Sequence, residues 1–175
     1  AVDSMIGLTN KPPDIEAIDL EPAADGVALL VRIGGRADSL QPRVDRLQGL
    51  LGGGQWLSGG EEREHWQGID DFRWAAGSAA LVKTPLNALQ VAALDQDLAG
   101  LGAARRYSVA GNVAWIALPN VDLLPALDSA LTGLGLGGVL VRGPASRLLL
   151  GVRGGESFYR RVKQVLDPNG RFLDL

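Results

Sequence analysis

Residues 79–142 have the sequence AALVKTPLNALQVAALDQDLAGLGAARRYSVAGNVAWIALPNVDLLPALDSALTGLGLGGVLVR. Short apolar runs in this stretch, rich in β-branched residues, predict strands at 79–83, 106–110, 113–118 and 138–142. Two longer segments between them carry leucines at helical spacing. These predict one helix that begins at Thr84-Pro85 and ends at Gly100, and a second that Asp122 caps and Gly133 ends.

The order of these elements is strand, helix, strand, strand, helix, strand, with a tight turn at Gly111-Asn112 between the middle strands. That order is typical of the ferredoxin-like split β-α-β arrangement, an antiparallel sheet with both helices on one face. Further elements extend it: a strand at 27–33, helices at 39–51 and 61–70, a strand at 147–152 and a helix at 156–166. The sequence therefore predicts an α+β fold with helices mainly on one face of the sheet.

The chain of 175 residues has the length of one domain. Residues 1–26 contain Lys11-Pro12-Pro13 and Glu21-Pro22. Because proline interrupts regular structure, we expect an irregular lead-in over 1–26, followed by a single α+β domain over 27–175. The first residues lack the basic and apolar regions of a signal peptide.

Composition excludes several kinds of site. The chain has no cysteine and one histidine, His65. Disulfides, iron–sulfur clusters, a cysteine nucleophile and thiolate or histidine-cluster metal sites are therefore excluded, and no metal site is predicted. The net charge of −3 and the pI of about 5.1 argue against nucleic acid as the main partner. No apolar run approaches the ~18 residues that cross a bilayer, so no transmembrane segment is predicted.

Two glycine-rich stretches have features of phosphate-binding loops. Gly133, Gly135 and Gly138 have the spacing of a dinucleotide fingerprint, but they follow a helix and precede a strand. No helix N-terminus would then face the phosphates, and a helix end plus a loop explains these glycines better. The loop Gly52–Gly60 lacks the ending of a P-loop. A flexible surface loop is favoured there, with a hinge or an anion-binding nest as alternatives.

Trp56 and His65 are the candidate contact residues for a substrate or partner. Trp56 lies in the glycine loop, where an exposed indole predicts a ligand or partner contact. His65 is a conceivable general base, because imidazole titrates near neutral pH, although a solvated or capping histidine is the commoner role. No catalytic residue is identified, and a hydrolase is poorly supported because no nucleophile motif accompanies the single histidine.

Other aromatic and acidic residues each have two interpretations. Asp70-Asp71 would suit a carboxylate pair, but a helix end is favoured. Trp66, Trp74 and Trp115 would line a planar ligand or stabilise an interface, with core filling favoured for Trp66 and Trp115.

The last predicted helix is amphipathic. Phe158, Val162 and Leu166 recur on one face, which is expected to point inward. Arg160-Arg161-x-Lys163 lies on the polar face, and Arg105-Arg106 forms a second small basic cluster. Both clusters are expected to be solvated faces, with an acidic partner subunit as the alternative.

The stretch 158–172, FYRRVKQVLDPNGRF, resembles the closing segment of FAD-linked oxidases of the vanillyl-alcohol-oxidase type. In that family, a helix with a lysine is followed by Phe-Asp-Pro-x-Gly and then by Asn-Pro-Gly-Arg. The matching positions are Lys163, Asp167, Pro168 and Gly170, whereas Phe172-Leu-Asp-Leu175 replaces the final motif. Segments 25–35 and 137–143 and the Trp66 region are similar to the FAD-binding subunit of the glycolate oxidase complex.

This resemblance implies the C-terminal cap domain of a FAD-dependent oxidoreductase of 2-hydroxy acids. Such a cap covers the flavin ring, supplies substrate contacts and excludes water, while a separate domain holds FAD. FAD is thus expected in the full-length protein or complex, but not tightly bound to this chain, which should be inactive alone. The implied partners are an upstream FAD-binding domain or oxidase subunits, and the implied location is cytoplasmic, peripheral to the membrane through those subunits.

The matching C-terminal positions imply a helix end and a turn rather than catalysis. Because no complete catalytic constellation is found, a second hypothesis stays open. The chain would then be a non-catalytic ferredoxin-like module for ligand binding or subunit assembly, acting through its open sheet face or the Trp56 loop.

Overall fold

A computed structural model describes residues 1–9, 15–23, 26–144 and 148–171. Within these ranges, seven strands form one sheet: β1 Ile15–Ala23, β2 Gly26–Ile33, β3 Ala80–Pro85, β4 Ala104–Ser108, β5 Val113–Leu118, β6 Gly137–Arg142 and β7 Leu149–Gly151. The α-helices are α1 Val2–Thr9, α2 Ala37–Leu51, α3 Gly59–Asp70, α4 Val91–Gly100, α5 Leu124–Gly133 and α6 Glu156–Leu166.

The sheet is antiparallel and has the strand order β2-β1-β4-β5-β3-β6-β7. Its four central strands, β4-β5-β3-β6, have the order of the ferredoxin-like split β-α-β arrangement, with α4 and α5 as the crossover helices. The β1–β2 hairpin extends one edge and β7 extends the other. The predicted α+β fold is confirmed.

The two faces of the sheet differ in how they are covered. On β3, Val82 and Thr84 belong to one face and Leu81 and Lys83 to the other, because side chains alternate along a strand. The first face carries the main core, in which α1, α4 and α5 bury their leucines together with Val82. The second face holds a smaller cluster around Leu81.

The prediction of an irregular lead-in over 1–26 is wrong, because this segment forms α1 and β1. Met5 of α1 is fully buried, and the isoleucine and leucine of β1 at positions 18 and 20 face the same core. Proline has no N–H to donate to a neighbouring strand. Pro22 is tolerated in β1 because it lies two residues beyond Leu20, the residue that pairs with Tyr107 of β4, and is not itself paired with β4. The residues around the other two prolines, 10–14, lie outside the described residues.

The predicted start of helix α4, at Thr84-Pro85, is also wrong. Thr84 and Pro85 belong to β3, and the helix is preceded by a short 3-10 turn at Ala88–Gln90. Asn87 caps that turn, since its side chain accepts the Leu89 N–H at 3.0 Å while the Gln90 side chain accepts the Asn87 N–H at 3.0 Å. The Asn-x-x-Gln capping box therefore sets the boundary that Thr-Pro was expected to set.

The last helix has the predicted bounds, but its apolar face does not point inward. Phe158 is 67% exposed and Leu166 is 74% exposed. The predicted strand 147–152 is shorter, with β7 at Leu149–Gly151, and Arg147 lies outside the described residues.

A polar cluster joins α4 to β4. Arg105 donates to both carboxylate oxygens of Asp95, from Nε at 2.6 Å and from Nη2 at 2.8 Å, and the Tyr107 hydroxyl donates to Oδ1 at 2.9 Å. Burial raises the pKa of Asp95, but the bonds from Arg105 and Tyr107 outweigh it and hold the pKa below its usual value. Burial raises the pKa of Tyr107, so its hydroxyl stays a donor.

Asp95→Asn should lower the free energy of unfolding by ~2 kcal/mol at pH 7, because the charged bidentate contact with Arg105 is lost. The folded-state pKa of Asp95 is depressed, so the stability that it contributes is present above about pH 4 and is lost as pH falls further. Urea denaturation at pH 7 and pH 2.5 measures both effects. Asp97→Asn, an exposed change in the same helix, is the control, and an equal deficit at the two pH values would contradict the charge argument.

Gly151→Ala should destabilise the fold by about 3 kcal/mol. Gly151 has a φ of +70°, and an added Cβ would lie 2.2 Å from the carbonyl oxygen of Leu136 and 2.8 Å from Cβ of Leu131. Gly133→Ala is the matched control, because its added methyl meets no atom within 4 Å. Urea denaturation should show the loss only at Gly151, and similar midpoints for both variants would refute the packing argument.

Candidate functional site

Aromatic side chains gather on the second face of the sheet. After α3, the chain passes Phe72 and Trp74, which pack with Trp115 of β5 over Leu81. The ring centroids of Phe72 and Trp115 are 4.8 Å apart at 73°, an edge-to-face contact. The ring centroids of Trp74 and Phe72 are 6.1 Å apart. These three rings form the aromatic cluster of the face.

A cavity of about 750 Å³ lies beside the aromatic cluster and is lined by all three of its rings. Trp66 and Asp70 of α3 form another part of the wall. Strands β1 and β4 and the turn after β4 supply much of the rest, chiefly Asp19, Arg106 and Val109, and α1 and Arg32 of β2 complete the lining. We call this space the Arg106 cavity.

Arg106 is buried on β4, with 4% of its side chain exposed. Its Nε donates to Asp19 Oδ2 at 3.2 Å, and its Nη1 donates to Glu21 Oε2 at 2.5 Å. Both carboxylates come from β1, at alternate positions that share a face. A guanidinium can be buried only where carboxylates compensate its charge, so the three side chains form one unit.

Burial raises the pKa of Asp19 above its usual range, although the hydrogen bond and charge of Arg106 pull it down. Asp70 acts in the same direction as burial, since its negative charge disfavours ionised Asp19. The backbone amide of Val109 has an effect smaller than that of burial and opposite to it, since it lowers the pKa of Asp19. The cavity therefore holds a carboxyl that takes up a proton more readily than a solvated aspartate.

Backbone strain is concentrated around the same cavity. Three non-glycine residues among those described have positive φ: Phe72 at 54°, Val109 at 55° and Ala110 at 53°. All three line the Arg106 cavity. A β-branched residue such as Val109 avoids this conformation. The turn is anchored to β1, because the Ala110 N–H donates to the Ile18 carbonyl at 2.9 Å. Such strain clusters at functional sites.

Two buried donors beside the cavity have no acceptor. Nη2 of Arg106 and Nε1 of Trp74 are shielded from water, and neither has a hydrogen-bond partner among the described residues. Each unpaired buried N–H costs about 1–3 kcal/mol. A ligand with acceptor oxygens would recover that free energy. These two donors make the second face a candidate binding site.

The two predicted contact residues line a second, smaller cavity of about 360 Å³. Trp56 is 44% exposed there, and His65 Nε2 is buried without a described partner. Trp66 and Arg32 also line this cavity, with the guanidinium carbon of Arg32 5.6 Å from the Trp66 ring centre. The structure thus brings Trp56 and His65 together, but away from the aromatic cluster, and their contact role stays a prediction.

The other residues that the sequence analysis singled out do not form one site. Asp70 lines the Arg106 cavity, whereas Asp71 pairs with Arg73 at 3.2 Å. Arg105 and Arg106 point to opposite faces, so they are not one basic cluster. Gly138 lies in β6, where an added Cβ would approach Val82 at 2.9 Å, which assigns it a packing role. The helical end at Lys163 and Asp167 is held by an ion pair at 3.7 Å.

Sequence reasoning named Trp74 as a residue that could line a planar ligand, but it missed Asp19 as a site residue and treated Arg106 only as part of a basic cluster. A signal for Asp19 was present, since Asp19 and Glu21 alternate with the apolar residues Ile18 and Leu20. Charged residues at alternate positions of such a strand require partners. The partner of Asp19 is Arg106, which lies 87 residues away in the chain, so no local sequence pattern could identify it.

The second face suits a planar group better than a phosphate-bearing one. Aromatic rings and unpaired donors suit a planar group that carries acceptor oxygens. The glycines at 133–138 lie between a helix end and a strand, so they offer no helix N-terminus to a pyrophosphate. Among the described residues, no cluster of three or more metal-ligating side chains occurs.

Comparisons of the chain with protein-family models, with curated proteins and with solved structures gave no match. The site is therefore interpreted from its own chemistry. None of the described helices is long and apolar enough to span a bilayer.

Arg106→Met should lower the free energy of unfolding by ~3–5 kcal/mol at pH 7, because it leaves the Asp19 carboxylate buried without its cation. The pKa of Asp19 is already raised, and without Arg106 it rises further. As the pH falls from 7 to 5, the protonated form of Asp19 is then increasingly favoured in the folded state, so part of the loss should be recovered. Urea denaturation at both pH values measures this.

The matched control is the double variant Arg106→Met with Asp19→Asn, which removes the stranded charge. It should be more stable at pH 7 than the single variant and insensitive to the same pH change. A single variant whose deficit is the same at both pH values would contradict the electrostatic account.

Proposed function

We propose that this chain is the C-terminal cap domain of a FAD-dependent oxidoreductase that acts on a 2-hydroxy acid, similar to the glycolate oxidase subunit, and that it is inactive alone. The observation that carries the proposal is the Arg106 cavity, an aromatic concavity with unpaired donors on the second face of a split β-α-β sheet. The C-terminal motif that resembles FAD-linked oxidases supports the same assignment.

In this role, FAD bound by an upstream domain or a partner subunit would accept a hydride from the substrate. The residues of this chain act on the substrate side. Phe72, Trp74 and Trp115 form an apolar roof that excludes water from the reacting atoms. Arg106 and Trp74 offer N–H donors that orient an acceptor oxygen. The proposed location is the cytoplasm, with membrane contact only through partner subunits.

The proposed cap should contact a flavin ring weakly and should ignore the adenosine diphosphate half of FAD. The test titrates the purified chain with lumiflavin, the bare ring system, and separately with ADP. Indole N–H resonances report each contact, and each of the four tryptophans is assigned with its Trp→Phe variant. Lumiflavin should shift the signals of Trp74 and Trp115 at near-millimolar concentration, because only the roof is present, and ADP should shift none.

Trp56→Phe is the control variant, since Trp56 lies in the other cavity. Two results would contradict the cap assignment. One is a lumiflavin titration that leaves Trp74 and Trp115 unmoved. The other is micromolar binding of FAD with ADP as a competitor, which would mean that the chain holds the whole flavin site.

A second candidate function is subunit assembly without catalysis. The apolar stripe of α6 favours it, because Phe158, Val165 and Leu166 are each at least 67% exposed. Sedimentation velocity separates the two functions. Self-association that Phe158→Ser abolishes, together with a silent lumiflavin titration, would favour the assembly module.

A further inference from the structure

The Arg106 cavity is large for the smallest hydroxy acids. Its volume of about 750 Å³ lies within the ~300–1,000 Å³ of pockets that hold drug-sized ligands. A two-carbon acid such as glycolate would leave most of that space to water. Water in the cavity would defeat the exclusion that a cap provides. In the free chain, size therefore favours a ligand longer than glycolate.

The charge around the cavity points the same way. A two-carbon acid has little besides its carboxylate with which to bind, so it needs an uncompensated cation. Arg106 is already paired with Asp19 and Glu21. Arg32, the other arginine of the wall, is paired with Glu62 and Glu16. Asp70 adds a further carboxylate to the wall. The site thus offers no net positive charge to a small anion. Most of the affinity must come from another part of the ligand.

The wall of the cavity indicates which part of the ligand supplies this affinity. Phe72, Trp74 and Trp115 present rings that pack best with another aromatic or flat apolar group. Beside them, Nη2 of Arg106 and Nε1 of Trp74 lack acceptors. Both nitrogens are shielded in the free chain, so an oxygen reaches them only when neighbouring side chains move. An apolar group that enters between the rings would supply that movement.

We infer that the Arg106 cavity takes 2-hydroxy acids that carry an aromatic or similarly flat apolar substituent, in preference to two- and three-carbon acids. The substituent packs against the aromatic cluster, and an oxygen of the acid accepts from Arg106 Nη2 and Trp74 Nε1. This inference rests on the proposed function for the hydroxy-acid class, and on the cavity alone for the substituent.

The experiment titrates the full chain with mandelate and with glycolate and follows the indole N–H signals. Mandelate should bind at least ~10-fold more tightly, a difference of about 1.4 kcal/mol. The Trp74 signal should move downfield as its N–H gains an acceptor, and Trp56 should not move. Trp74→Phe, which keeps a ring but removes the N–H, should weaken mandelate binding about 5-fold, a loss of ~1 kcal/mol typical of one hydrogen bond. Trp56→Phe should leave it unchanged.

Equal affinities for the two acids, shifts confined to Trp56, or no shift with mandelate would overturn the inference. The comparison of acids needs only the unaltered chain, so a Trp74→Phe variant that fails to fold does not remove the test. The lumiflavin titration is independent of it. If lumiflavin binds but both acids bind with equal affinity, the proposed cap function stands and the preference for aromatic acids is wrong. If mandelate is preferred but lumiflavin does not bind, the cavity binds aromatic acids and the cap function is wrong.

Discussion

A buried guanidinium joins the two parts of the sheet. The backbone ladder between β1 and β4 has a single pair, Leu20 with Tyr107. Arg106 reinforces that seam with Asp19 and Glu21, both on β1. Because β1 pairs along its length with β2, these contacts fix the whole β1–β2 hairpin to the ferredoxin-like module. The cavity exists because the hairpin is held there.

The same seam explains the strain in the turn after β4. Asp19 is paired with Arg106, and the adjacent strand residue, Ile18, holds the turn after β4. The Ile18 carbonyl accepts the Ala110 N–H, while Val109 and Ala110 adopt a conformation that β-branched residues avoid. The docking of β1 on β4 therefore shapes the rim of the cavity as well as its floor.

The sequence predicted the elements better than it predicted their partners. Strands β3, β5 and β6 and helix α5 follow from local patterns of apolar residues, and their order implies the sheet topology. The lead-in was mistaken for irregular chain because its prolines were given more weight than the apolar residues at positions 18 and 20. The first helical boundary was mistaken because Asn87 and Gln90 cap it rather than Thr84. These errors have local causes.

The errors at the candidate site have a different origin. The sequence named Trp56 and His65 separately as contact residues; the structure puts both on one cavity, and their contact role stays a prediction. Local spacing could not find the contact of Arg106 with Asp19, since that contact forms only when β1 docks on β4. Arg105 and Arg106 looked like one basic cluster, yet strand alternation sends them to opposite faces. One of them stabilises α4 through Asp95, and the other forms the floor of the cavity.

The two faces of the sheet differ in energetic character. The first face buries most of the core leucines, although the Thr84 hydroxyl has no described partner there. The second face carries a compensated buried charge, a carboxyl with a raised pKa, three strained residues and two unpaired donors. A face selected only for stability would be packed with apolar side chains in place of these features. Their concentration around one cavity is the physical reason to regard that face as the functional one.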